Sequence, residues 1–348
     1  MSVMSRRHSG PISAAASALA AATALGTVAL TGCSVFSTTT SRDDDGPSGP
    51  GGRLAVVASC YPMEFLADQI GGDRVRVTEL TRPGQEPHDL EISARQTAQL
   101  EKSDVALYLK GLQPSVDEAI QQSPIPRKVD AATLTTLEKH GTEVGGHAAA
   151  HDHAPGEESG GLDPHVWLDP VRYAQVARGV GKAFEQADPD HAATYRKNTA
   201  ALVKRLDALN TRFADGLRHT RGKVFLTTHA AFGYLAERYG LTEEAISGLD
   251  PESEPSAARV RDLEQLAEAD GVTTVFYETL VSGRTARTIA DDAHLRTDVL
   301  DPVEGITDRS RGHDYVQVMD ANLTALRKAL GARSTGAGAA AGAAGDAR

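Results

Sequence analysis

One apolar stripe constrains this chain more than any other feature. Tyr195, Leu202, Leu206, Leu209, Phe213 and Leu217 follow one another at steps of 7, 4, 3, 4 and 4, the spacing that lines one face of a helix. Asp188-Pro189-Asp190 supplies an N-cap and a first-turn proline ahead of it. A helix over residues 188–219, roughly 30 residues, is about 45 Å long, which exceeds the height of one small domain. The stripe therefore predicts a strut joining two lobes.

Both flanks of the strut carry the same texture. Before it, residues 53–58, 75–80 and 104–109 read as strands, and 62–70, 93–102 and 114–122 as helices. After it, 223–227, 272–277 and 297–300 read as strands, interleaved with helices at 230–239, 256–269, 283–293 and 314–330. Short apolar strands alternating with amphipathic helices imply a mostly parallel sheet flanked by helices. The expected fold is thus α/β, with two such lobes at 53–187 and 220–331 joined by one long helix at 188–219.

With 348 residues, 40% hydrophobic and 24% charged, the chain is large enough for two ordinary cores and close to globular averages. Two cysteines exclude a disulfide-stapled module. A net charge of −11, with no stripe of Lys and Arg, argues against nucleic acid as a partner.

The N-terminus reads as an address. Arg6 and Arg7 precede an Ala-rich apolar run and then Leu30-Thr31-Gly32-Cys33, the layout of a secretory signal peptide over residues 1–32. The last four residues resemble the lipobox of bacterial lipoproteins. This resemblance implies lipidation of Cys33, a membrane held through that anchor, and an extracytoplasmic location. Residues 33–52 form a polar tether, and the Ala/Gly tail 332–348 is expected to be disordered. Cys60 is left without a partner and reads as a packed thiol at a strand end.

Three of the twelve histidines stand where a loop hands over to the next element: Pro87-His88-Asp89, Asp163-Pro164-His165-Val166-Trp167-Leu168-Asp169-Pro170, and Thr227-Thr228-His229-Ala230. Asp301 directly follows a predicted strand. Ligands of open α/β sheets gather outside the carboxyl ends of the strands, so these side chains converge if the lobes face each other. Three imidazoles and one carboxylate suit zinc. Calcium and magnesium want more oxygens, and manganese usually takes a second carboxylate. Taken singly, each histidine is equally well a hydrogen-bonded structural residue.

The segment Val56-Val57-Ala58-Ser59-Cys60-Tyr61-Pro62, the turn Ile70-Gly71-Gly72-Asp73, the three histidine contexts, Glu254-Pro255-Ser256 and Leu300-Asp301-Pro302 together resemble the zinc/manganese solute-binding lipoproteins of ABC importers. The resemblance runs from about Leu54 to Leu330. It implies a non-enzymatic, monomeric protein that captures a metal between its lobes and passes it to an ABC permease with a cytoplasmic ATPase. Carried over by position, His88 and His165 from the first lobe and His229 and Asp301 from the second become the metal ligands. Histidine at 229, where the manganese branch typically has glutamate, points to Zn²⁺ as cargo, with Mn²⁺ or iron as the alternative. Glu278 resembles an acid that lines the cleft and is expected to orient an imidazole. An exported zinc hydrolase would need an open coordination position and a base beside it, and no H-E-x-x-H pair exists. A metal-loaded adhesin shares all these residues and stays open.

Residues 140–161 are rich in Gly, His, Glu and Ala and read as a mobile surface loop. It is similar to the His-rich loop of the zinc branch, and His140, His147, His151 and His153 are expected to capture metal weakly near the cleft mouth. His191, His219, His294 and His313 read as structural or exposed residues.

Overall fold

The computed structural model describes residues 52–141, 143–144 and 161–332, of which 143–144 are described by backbone alone. The proposed signal peptide, Cys33, the tether to residue 51, His147, His151, His153 and the tail from 333 lie outside the described residues.

The first sheet is built from β1 (Leu54–Ala58), β2 (Val75–Glu79), β3 (Val105–Tyr108) and β4 (Arg127–Asp130), in the order β2-β1-β3-β4 and parallel throughout. Its crossovers are α1 (Tyr61–Gly71), α2 (Ala94–Glu101) and α3 (Pro114–Gln122). The Val- and Ala-rich β1 is buried along its whole length, as a strand covered by helices on both faces must be. Ser93 and Gln96 form a capping box at the start of α2. A short β5 (Glu143–Val144) and α4 (Pro170–Ala187) precede the strut, α5 (Ala192–Leu217).

The second sheet contains β6 (Val224–Thr227), β7 (Thr242–Ala245), β8 (Thr274–Tyr277) and β9 (Arg296–Val299), connected by α6 (Gly233–Tyr239), α7 (Ala257–Ala269) and α8 (Arg284–Asp292). The final helix is α9 (Tyr315–Ala329). Strand order is β5-β7-β6-β8-β9, and β5 is antiparallel to β7. Residues 143–144, expected within the first lobe, therefore pair with the second lobe's sheet.

The strut behaves as its stripe predicts: Tyr195, Leu202, Leu206, Leu209, Phe213 and Leu217 are all buried. The helix proper begins at Ala192, after a 3₁₀ turn over Pro189–His191. Asp188 secures that turn through side chains, accepting from His191 Nδ1 at 2.8 Å and from the Tyr195 hydroxyl at 2.7 Å. The 26 residues of α5 pack on α1 and α4 from one side of the molecule and on α6 and α9 from the other. One apolar core consequently runs from Leu54 through the strut to Leu330, within a single compact unit.

Polar contacts also cross between the lobes. Asp169 caps α4 through the Val171 amide and receives Arg238 of α6 as a two-pronged ion pair at 2.6–3.0 Å. Trp167 Nε1 donates to the Pro302 carbonyl at 2.7 Å, and the Tyr315 hydroxyl donates to the Trp167 carbonyl at 2.5 Å. Of these, the Arg238–Asp169 pair, charge-assisted and bidentate, belongs to the stronger class of hydrogen bond.

Cys60 is fully buried with a free thiol, and burial pushes its pKa up to about 12. It is an inert packed group at the start of α1. His219, His294 and His313 are exposed, and His191 is half-buried against Asp188. Among the described residues, no helix is long and apolar enough to cross a membrane.

Candidate metal centre

Loops from both lobes deliver the site residues. His88 lies in the connection after β2, and His229 follows β6 by two residues. His165 begins the 3₁₀ turn Val166–Leu168 that leads into α4. These three histidines meet one carboxylate, that of Glu304, which arrives after β9. Glu304 Oε1 lies 3.2 Å from His88 Nε2, 3.1 Å from His165 Nε2 and 3.8 Å from His229 Nε2, and the His88 and His165 Nε2 atoms are 3.4 Å apart. Bond lengths of 2.0–2.1 Å in a tetrahedral zinc site put neighbouring ligand atoms about 3.3 Å apart, so these separations suit that geometry.

Carboxylates behind the rings set their orientation. Asp163 Oδ1 accepts from His165 Nδ1 at 2.7 Å, and Glu278 Oε1 accepts from His229 Nδ1 at 2.8 Å. With Nδ1–H committed, each ring turns its Nε2 toward Glu304, the orientation a metal ligand requires once Nε2 has given up its proton. His229 Nε2 and Glu304 Oε2 are buried without a hydrogen-bond partner. Buried polar atoms of this kind are costly unless something satisfies them, and a divalent cation would satisfy both.

The electrostatics of the cluster are those of a site that attracts cations. Burial disfavours a charged His165, but the hydrogen bonds it donates to Asp163 and Glu304 overcome it and push its pKa up to about 10. His229 is raised too, with burial opposed by the charge and hydrogen bond of Glu278. Burial would raise the acids Asp163 and Glu304, yet their hydrogen bonds to histidines hold both below the usual carboxylate range.

Asp301, expected as the carboxylate of this set, is not in the cluster. Its Oδ1 accepts the Val303 amide at 2.9 Å and its Oδ2 accepts the Thr279 hydroxyl at 3.0 Å. Its backbone exchanges two hydrogen bonds with the Asn322 side chain, at 2.9 and 2.7 Å. What Asp301 builds is the turn that presents Glu304. Val303 sits at φ 60°, a left-handed conformation that a β-branched residue adopts only under constraint. Asp301 on one side and the Trp167–Pro302 bond on the other supply that constraint. Glu304 was missed in the sequence because its only signal is an acid three residues beyond Asp301.

His140 also departs from expectation. It is not part of an exposed loop: it is 6% exposed, donates from Nδ1 to Asp163 Oδ2 at 2.6 Å and packs edge-on against Tyr234. Asp163 thus links His140 to His165. Another buried acid, Glu243 of β7, accepts from the Thr227 hydroxyl at 2.8 Å and the Phe232 amide at 3.2 Å, bracketing the turn that carries His229. Burial pushes its pKa up to about 7.

The profile of a family described as zinc-uptake complex component A, periplasmic, matches residues 56–329. The chain belongs to this family. A zinc-binding lipoprotein AdcA of Streptococcus pneumoniae is 35% identical over 287 residues, covering 80% of this chain and 56% of the relative. The high-affinity zinc uptake system protein ZnuA of Bacillus subtilis is 30% identical over 289 residues, covering 80% and 88% respectively. The crystal structure of the Zn(II)-bound ZnuA-like domain of Streptococcus pneumoniae AdcA superposes with a TM-score of 0.65 at 33% identity, covering 80% of this chain and 99% of the domain. The chain spans a little over half the length of its AdcA relatives, and its two α/β lobes match the domain of AdcA that is ZnuA-like.

Proposed function

We propose that this member of the zinc-uptake component A family captures Zn²⁺ in the cleft between its lobes, with His88, His165, His229 and Glu304 as ligands, and delivers it to an ABC permease driven by a cytoplasmic ATPase. The observation that carries the reading is the convergence of three Nε2 atoms on Glu304 Oε1 at 3.1–3.8 Å, with Asp163 and Glu278 holding two of the rings from behind. Three imidazoles and a single carboxylate favour zinc over manganese. The names of the relatives support the same cargo.

The protein acts outside the cytoplasm, as a monomer held to the membrane by a lipid on Cys33. It performs no covalent chemistry: four protein ligands fill a tetrahedral shell and leave no position for a reactive water. Metal analysis of the protein as purified, followed by competition titration against a chelator of known affinity, tests the reading. One tight zinc per chain, lost on replacing His165, is expected. A chain purified with manganese, or one whose tight site survives that replacement, overturns it.

A further inference from the structure

We propose that Glu138, His140 and Glu237 hold a second divalent cation, separate from the cluster of His88, His165, His229 and Glu304. One ligand atom from each of the three lies within 4.8 Å of the others. The decisive group is His140. Its Nδ1 is committed to Asp163 at 2.6 Å, while its Nε2 is buried, has no hydrogen-bond partner and faces Glu237 Oε2 at 3.6 Å. A carboxylate behind Nδ1 with Nε2 turned outward is how metal-binding histidines are oriented.

The surroundings hold this arrangement in place. The His140 ring packs on Gly233, where a Cβ would stand 2.4 Å from Nδ1, so only glycine admits the ring. The Glu138 backbone is fixed at both ends of its peptide: its N–H donates to the Tyr234 hydroxyl at 2.9 Å, and its carbonyl accepts the Asp163 amide at 2.8 Å. The carboxylates of Glu138 and Glu237 are 39% and 42% exposed, with solvent-side room to move onto a cation.

Arg172 competes for the same acids. It hydrogen-bonds Glu138 and stands 3.9 Å from Glu237. On giving up Glu138 it keeps the Thr136 carbonyl at 2.5 Å, Asp169 at 3.6 Å and the face of Tyr234 at 4.6 Å. The second site is therefore weaker than the first. One imidazole and two carboxylates, with water completing the shell, suit zinc or manganese in rapid exchange.

The test uses the full-length chain with His147, His151 and His153 replaced by alanine, so that those histidines contribute no zinc of their own. This parent and its E237Q and E138Q variants are titrated with zinc alone against a chromophoric chelator. Each variant is expected to bind one zinc fewer than the parent while keeping the tight site, whose retention shows that the variant is folded. An equal count in parent and variants overturns the proposal: His140 Nε2 then carries a proton between its acidic neighbours, and Glu138 and Glu237 serve Arg172 alone.

Discussion

Asp163 Oδ1 accepts two hydrogen bonds from a single residue, His165, one from its backbone N–H at 2.9 Å and one from its ring Nδ1 at 2.7 Å. This double contact fixes the position of the ring as well as its tautomer. Replacing Asp163 with alanine should weaken zinc binding about 10–100-fold, the usual cost of losing a partner behind a metal-binding histidine. It also strands the Nδ1–H groups of His165 and His140, at about 1–3 kcal/mol for each buried group left unsatisfied. Competition titration reads the first effect and urea unfolding of the metal-free protein the second.

Glu304 and Asp301 can be separated by amide substitutions. Glu304→Gln removes the anionic ligand and should cost zinc affinity more than about 100-fold, beyond the cost of an orienting partner. Asp301→Asn keeps an oxygen for the Val303 amide and should change affinity less than about tenfold, within the loss of one hydrogen bond. The reverse order of effects would return the ligand role to Asp301.

His229→Glu replaces an imidazole by a hard oxygen. Zinc affinity should fall and manganese should gain relative to it, although the intrinsic affinity order still favours zinc. Paired titrations with the two metals measure the ratio. If neither affinity moved, His229 would not touch the metal.

Glu243 gives the metal-free protein a pH dependence with a definite sign. Burial lifts its pKa from 4.5 to about 7, so the folded state holds a proton that the unfolded state has already released. The stability this confers is fully present below about 4.5 and is lost as pH rises through about 7, roughly 3 kcal/mol in all. Glu243→Gln keeps the acceptor for Thr227 and Phe232 and cannot ionise. Urea unfolding at pH 5 and pH 8 should show the variant losing less stability over that range than the parent does. Parallel losses would place the titration elsewhere.

Cys33→Ser should release the protein from membranes, since among the described residues no helix is long and apolar enough to hold it there. Fractionation of cells expressing the variant gives the answer, and continued retention in the membrane fraction counts against lipidation.

The elements that were legible in the sequence are those governed by local periodicity. The steps from Tyr195 to Leu217 describe a helix whatever surrounds it, and the strands around Val56 and Phe276 are apolar runs bounded by turns. His88 and His229 were legible for a related reason: a residue beyond a parallel strand is carried to the same edge of the sheet as its neighbours; His165 was legible from its Asp163-Pro164-His165-Val166-Trp167-Leu168-Asp169-Pro170 context. Three features depended on contacts distant in the chain. β7 reads Thr242-Glu243-Glu244-Ala245, a polar stretch, yet all four residues are buried, because Thr227, the Phe232 amide and Arg259 receive the acids. His140 stands beside a low-complexity segment but is buried against Tyr234 and Gly233 of α6, roughly ninety residues on. The exchange of Asp301 for Glu304 rests on a left-handed Val303 held by Trp167, a bond spanning 135 residues. Two α/β lobes, their strut and three histidines in the connections between elements follow from the order of residues alone, since propensity and periodicity act over a few residues. Which carboxylate joins those imidazoles was decided only by tertiary structure, because the direction of a side chain beyond a tight turn depends on what the opposite lobe presses against it.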